Sequence, residues 1–152
     1  MEAKVVDAGE ESFSQNPLLT SHLGWEVFRS MARDRKREAV VDCTTSEPSR
    51  FNAGSILVLA TLFADRLRRE CSSNRVGIVL PPGIGALVGN LAVVFAGKSP
   101  VNLNFSLGRE ALEASIERAE IDLVLTAGLA KKRLKDFPWP DHTLDLGVEL
   151  KK

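Results

Sequence analysis

The sequence predicts a three-layer α/β fold with a mostly parallel sheet and right-handed βαβ crossovers. Three observations predict it. Strand-like and helix-like segments alternate at roughly 20 to 25 residues per unit, the rhythm of a doubly covered parallel sheet. Runs such as Val76–Leu80 are apolar throughout, as strands buried on both faces are. Gly and Pro punctuate the joints, at Pro81-Pro82-Gly83, at Gly97 and at Pro138-Trp139-Pro140.

Composition sets the outer limits. The 152 residues amount to one domain, long enough to bury a core without staples. Lys plus Arg and Asp plus Glu both number 20, so no net field draws the chain to nucleic acid. There are 2 cysteines, Cys43 and Cys71, far apart, and the opening residues are polar and acidic. The expectation is a cytoplasmic protein with free, buried thiols. With 2 histidines, His22 and His142, and no Cys-x-x-Cys, no metal site is expected. From Val76 to Gly97 about 22 residues carry no charge, which meets the length of a membrane span. Pro81-Pro82 with Gly83, Gly85 and Gly89 would leave backbone groups unpaired in lipid, so a buried strand plus a buried helix is expected instead.

The elements follow in order. Residues 1–20 hold no sustained period and read as a flexible lead-in, with residues 21–152 as the α/β unit. Leu23, Val27, Phe28 and Met31 share a face of a short helix that Thr20 or Ser21 would cap. Ala39–Val41 is a short strand, and a turn region from Thr44 to Ser49 follows it. The clearest helix runs from Ala53 to Glu70, capped by Asn52, with Ile56, Leu59, Ala60, Phe63, Ala64 and Leu67 on one face. Val76–Leu80 is a strand, Ile84–Phe95 a helix stopped by Gly97, and Ser99–Leu103 a strand. A helix from near Arg109, with Ser106 as its cap, leads to the strand Ile121–Leu125. Thr126 opens a short helix ending in Lys131-Lys132-Arg133-Leu134-Lys135, and His142–Leu146 is a last strand. Trp139, between two prolines, is expected to pack under the final loop, with docking of a further segment as the alternative.

Chemistry-bearing patterns are few. Gly83-Ile84-Gly85-Ala86-Leu87-Val88-Gly89 follows a strand and opens a helix, as a dinucleotide fingerprint does. Pro81-Pro82 stiffens the turn, and the acid expected about 20 residues on is missing from Ser99–Leu107. A dinucleotide-binding oxidoreductase is therefore a minor alternative, and the glycines are better read as allowing close helix–sheet packing. There is no G-x-x-x-x-G-K-[ST] and no G-x-S-x-G, and no residue stands out as catalytic. Asn102 and Asn104 lie at a strand's carboxyl end, where open α/β sheets collect ligands, and are weak candidates for substrate binding.

One resemblance covers roughly residues 22–146. The helix FNAGSILVLATLFADRL and the stretch RVGIVLPPGIGALVGNLAVVFAGKSPVNLNFSLGREALEASIERAEIDLVLT resemble the N-terminal sub-domain of the adenylate-forming (AMP-binding) ligases. That family includes acyl-CoA synthetases, acyl-carrier-protein synthetases and luciferase-like ligases. The marks are Val76-x-Ile78-x-Leu80-Pro81, a helix ending in Ala96-Gly97, Pro100-Val101-Asn102-Leu103-Asn104, and Leu123-Val124-Leu125-Thr126. The Pro100–Asn104 form is most similar to the acyl-carrier-protein synthetase branch, often fused to a lysophospholipid acyltransferase.

The resemblance implies a parent that uses ATP and Mg to turn a fatty acid into an acyl-adenylate, then passes the acyl group to a CoA or acyl-carrier-protein thiol. It also implies a cytoplasmic parent, at or near the inner membrane's cytoplasmic face. The family's phosphate loop, its acid for the ribose and its late lysine have no counterpart in the sequence, so no catalytic residue is carried over. The chain is then expected to be an inactive structural part of the ligase, with the rest of that ligase as its partner. An exposed docking face would allow a homodimer. The alternative from another class is a self-contained α/β binding module.

Overall fold

The computed structural model describes residues 21–149. Its elements are α1 (Leu23–Arg33), β1 (Glu38–Asp42), β2 (Ser49–Asn52), α2 (Ala53–Glu70), β3 (Arg75–Val79), α3 (Ile84–Phe95), β4 (Ser99–Asn102), α4 (Arg109–Arg118), β5 (Leu123–Thr126), α5 (Gly128–Arg133), β6 (His142–Asp145) and α6 (Leu146–Glu149). A four-stranded sheet runs in the order β4-β3-β5-β6 with every pair parallel, and β1 and β2 form a separate antiparallel ribbon. The three-layer α/β architecture is thus as the sequence predicts.

The strand period sorts side chains to two cores. Val76, Ile78, Leu123, Leu125 and Leu144 face the layer of α2 and α3, where Ile56, Ala60, Phe63, Leu67, Val88 and Leu91 meet them. Val79 and Val124 face the other way, onto Leu103, Leu112, Ile121 and Phe137. Gly77 on β3 also faces this second core. A Cβ there would stand 2.7 Å from Val124 Cγ2 and 3.1 Å from Ile121 Cγ2, so only glycine lets these layers close.

Helix ends follow local chemistry. Asn52 Oδ1 accepts the Ser55 N–H at 2.8 Å and caps α2. Gly97 takes φ +78° after α3, and the Lys98 N–H reaches back to the Val93 carbonyl at 3.0 Å. Edge strand β4 contains Pro100. The Ser99 and Leu103 N–H groups turn inward, to the Asn74 and Ile78 carbonyls beside β3, so by alternation Pro100 and Asn102 face outward.

Several expectations need correction. Ser49, read as the end of a turn, opens a strand that runs to Asn52 and pairs with β1, and Arg50 bridges to Glu38 at 2.8 Å. Such a short ribbon strand needs no apolar run: its backbone ladder to β1 and the contact of Phe51 with the core hold it in place. Helix α1 begins from His22 rather than Ser21, with the Trp25 N–H bonded to the His22 carbonyl at 2.9 Å; Thr20 and the 1–20 lead-in lie outside the described residues. Gly108, not Ser106, precedes α4, because Ser106 turns its hydroxyl to Asn104 Oδ1 at 2.7 Å. Thr126 closes β5 instead of opening a helix; Ala127 takes the cap position of α5. Both thiols are free, but Cys43 is exposed and only Cys71 is buried.

Candidate functional site

The chain leaves β3 into α3 toward β4, then returns past β3 to build β5 on its far side. The loops after β3 and β5 therefore depart to opposite faces. A parallel sheet opens a crevice at such a reversal, at the carboxyl ends of the strands. Here that crevice is a cleft of about 280 Å³, lined by Pro81 after β3, Ala127 after β5, Phe105 after β4, and Leu129, Ala130, Arg133 and Leu134 of α5 and its end. Its walls are apolar apart from Arg133. A second cleft of about 240 Å³ adjoins it, sharing Phe105, Arg133 and Leu134 and adding Leu107, Leu112 and Phe137.

The last residue of β5 stands out at this reversal. Thr126 is 1% exposed, and among the described residues its hydroxyl has no hydrogen-bond partner. A buried hydroxyl without a partner costs free energy that a valine would not. No signal in the sequence marked it. It surfaces only when the strand order places it at the crevice.

The sequence-predicted candidates sit one strand away and are occupied with the chain itself. Asn102 Nδ2 donates to Asn90 Oδ1 at 3.0 Å, and Asn90 Nδ2 returns a bond to Asn102 Oδ1 at 3.3 Å, tying β4 to α3. Asn104 Oδ1 accepts the Ser106 N–H at 3.1 Å and its hydroxyl. It thereby folds its own turn. The structure brings Asn102 and Asn104 to the carboxyl edge but not into the cleft.

The glycine-rich turn before α3 has its own occupant. The Asp42 carboxylate at the end of β1 accepts the Ile84 N–H at 2.7 Å and the Thr44 N–H at 2.9 Å. Hydrogen bonds from the Thr44 side chain, then from the Ile84 and Thr44 backbone, hold its carboxyl below the usual carboxylate range. A positive helix end attracts an anion, and the chain supplies one. Gly83, at φ +135°, is needed because a Cβ there would stand 2.9 Å from Asp42 Oδ2. A pyrophosphate would have to displace this carboxylate, so the geometry gives the dinucleotide alternative no support. Gly89 does serve close packing, since its Cβ would meet Leu80 Cδ1 at 3.1 Å, whereas Gly85 has open space around it.

The amino edge of the sheet carries a polar knot. Asp122 accepts the Ser72 and Ser73 N–H groups, both at 3.1 Å, the Ser72 hydroxyl at 2.7 Å and the Cys71 thiol at 3.1 Å. Burial works to raise its carboxyl, but the Ser72 hydroxyl, the Cys71 thiol and the two N–H groups outweigh it and hold the pKa at about 2. Burial, then the Asp122 carboxylate, pushes the Cys71 thiol up to about 11, so this sulfur is not a poised nucleophile. Lys98 Nζ adds a bond to the Ser73 carbonyl at 2.6 Å. Trp139 packs on Phe137 with ring centroids 4.5 Å apart and donates Nε1 to the Leu134 carbonyl at 3.0 Å.

Among the described residues, no cluster of His, Cys, Asp and Glu could hold a metal ion, and no helix is long and apolar enough to cross a membrane.

No protein-family model matches the chain, and no curated protein sequence matches it. Solved structures do. The nonribosomal peptide synthetase FmoA3, in its alpha-methyl-L-serine-AMP-bound form, matches with TM-score 0.73 over 87% of this chain and 15% of its own, at 20% identity. The fatty acid AMP ligase from Legionella pneumophila matches at 0.67 over 88% of this chain and 25% of its own, at 15% identity. The O-succinylbenzoate coenzyme A synthetase from Bacillus subtilis, in complex with ATP and magnesium, matches at 0.67 over 83% and 34%, at 16% identity. The chain thus spans 34% or less of each, and what it shares with them is the fold.

Proposed function

We propose that residues 21–152 are the N-terminal sub-domain of an ATP-dependent acyl-activating ligase, following a linker over residues 1–20. The carrying observation is the fold: the β4-β3-β5-β6 parallel sheet with its helix layers matches such ligases over most of this chain and a minor part of theirs. The parent reaction is the joining of a fatty acid to AMP with loss of pyrophosphate, followed by acyl transfer to a CoA or acyl-carrier-protein thiol. The Pro100–Asn104 form favours the carrier-protein branch.

The role of these residues is scaffolding. ATP and Mg belong to the parent reaction, but the residues present do not fit them. The glycine-rich turn that would face a phosphate already holds Asp42. No step of the reaction is therefore assigned to this chain. Asn102 and Asn104, in this reading, shape the β4 exit that a completed ligase would use as part of a wall.

The isolated chain is expected to show no carboxylate-dependent exchange of pyrophosphate into ATP. Robust exchange would sink the scaffold reading. Reading the gene past Lys152 tests the parent: a Ser/Thr/Gly-rich phosphate loop in the same frame supports the ligase, and an unrelated fold there removes it.

A further inference from the structure

The two adjoining clefts at the carboxyl edge form one groove, and its rim is unusual for a water-facing surface. Phe105 is 43% exposed, Leu107 47% and Leu129 71%. The groove is half-enclosed, and apolar side chains stand out on its rim instead of folding over it. Recesses between protruding apolar side chains suit a partner that brings knobs of its own, as a helix does.

Charge names the helix. Arg133 lies where the two clefts meet, and no carboxylate among the described residues pairs with it. Lys135 lines the second cleft, together with Arg109, which is paired to Glu113, and a single acid, Asp136. The floor is apolar, and the charges on it without a salt bridge are two cations, Arg133 and Lys135, against one acid, Asp136.

We propose that this groove docks an amphipathic acidic helix of a partner protein, its apolar stripe in the clefts and its carboxylates toward Arg133 and Lys135. This inference does not depend on the ligase reading.

The test uses the full chain and two labelled peptides of about 18 residues with leucine at i, i+3, i+4 and i+7, one filled with Glu and one with Lys. Fluorescence anisotropy is expected to give saturable binding of the Glu peptide, at least tenfold tighter than the Lys peptide and weakened by salt. Leu129→Asp is expected to lower the affinity at least tenfold, and Arg133→Glu to reverse the charge preference. Both side chains are exposed, and circular dichroism checks that the variants fold. Equal binding of the two peptides, no saturable binding, or binding unchanged in Leu129→Asp would each overturn the proposal. So would two rival uses of the face: sedimentation of the chain with anionic lipid vesicles lost in the same variants, or self-association lost in them.

Discussion

The two ends of the sheet are built by different rules. At the amino edge, polar groups are drawn together and satisfied: Asp122 alone accepts four hydrogen bonds, and Lys98, Ser73 and Glu120 extend the knot. At the carboxyl edge, the exits of β3, β4 and β5 surround an apolar groove, an unpaired arginine and a buried hydroxyl with no partner. One edge has spent its chemistry on holding the strands in register. The other has kept chemistry unspent. That division fits a sheet whose stability is settled at one end so that the opposite end is free to meet something else.

The comparison can be broken or sharpened by mutation. The largest effect is expected midway between the edges, at Gly77→Val. Its Cβ alone would sit 2.7 Å from Val124, and the overpacking should cost about 3 kcal/mol, read as a lower denaturation midpoint. Next comes Asp122→Ala at the amino edge. It removes the carboxylate that ties Ser72 and Ser73 to β5, leaves their N–H groups to water, and should cost about 1.5 kcal/mol by the same measurement. If it costs nothing, the amino edge is not the anchoring end.

Acid should produce a smaller loss through the same group. The Asp122 carboxyl sits at about 2 in the folded chain against 3.8 ordinarily, so the unfolded chain takes up the proton first. Its stabilisation is complete above about pH 5 and is lost as pH falls through the folded value of about 2. Discounted for solvent screening, the loss is about 1 kcal/mol, and it should vanish in Asp122→Asn.

Thr126→Val at the carboxyl edge should raise stability, by about 0.5 to 1 kcal/mol, because it removes an unpaired hydroxyl without changing shape. A loss instead would mean that the hydroxyl already has a partner within this fold. Leu129→Asp should move the midpoint least, by less than about 0.5 kcal/mol, since that side chain is 71% exposed.

Much of the fold was legible in the sequence. Apolar runs flanked by Gly and Pro gave β3, α3, β4 and β5 nearly residue by residue, and Asn52 declared itself as a cap because its partner is three residues away. What stayed hidden depends on distance along the chain. Asp42 reaches Ile84 across 42 positions, and Asp122 reaches Ser72 across 50, so neither contact leaves a local pattern. β2 was hidden for another reason: a ribbon strand whose Arg50 and Glu38 lie in water carries no hydrophobic period. At the carboxyl edge, the sequence placed Asn102 and Asn104 at the strand end where the structure has them, bonded to Asn90 and to Ser106. Choosing between strands there needed the strand order, which turns attention to Thr126 and the cleft beside Ala127.

Pro100 has a consequence for how this sheet can grow. Of the two outward-facing residues on β4, one lacks an N–H, so an incoming strand would find a single donor there. β6, with no proline in His142–Asp145, has an N–H on every residue. A further strand is therefore harder to add beyond β4 than beyond β6, whether it comes from the same polypeptide or from a misfolded neighbour.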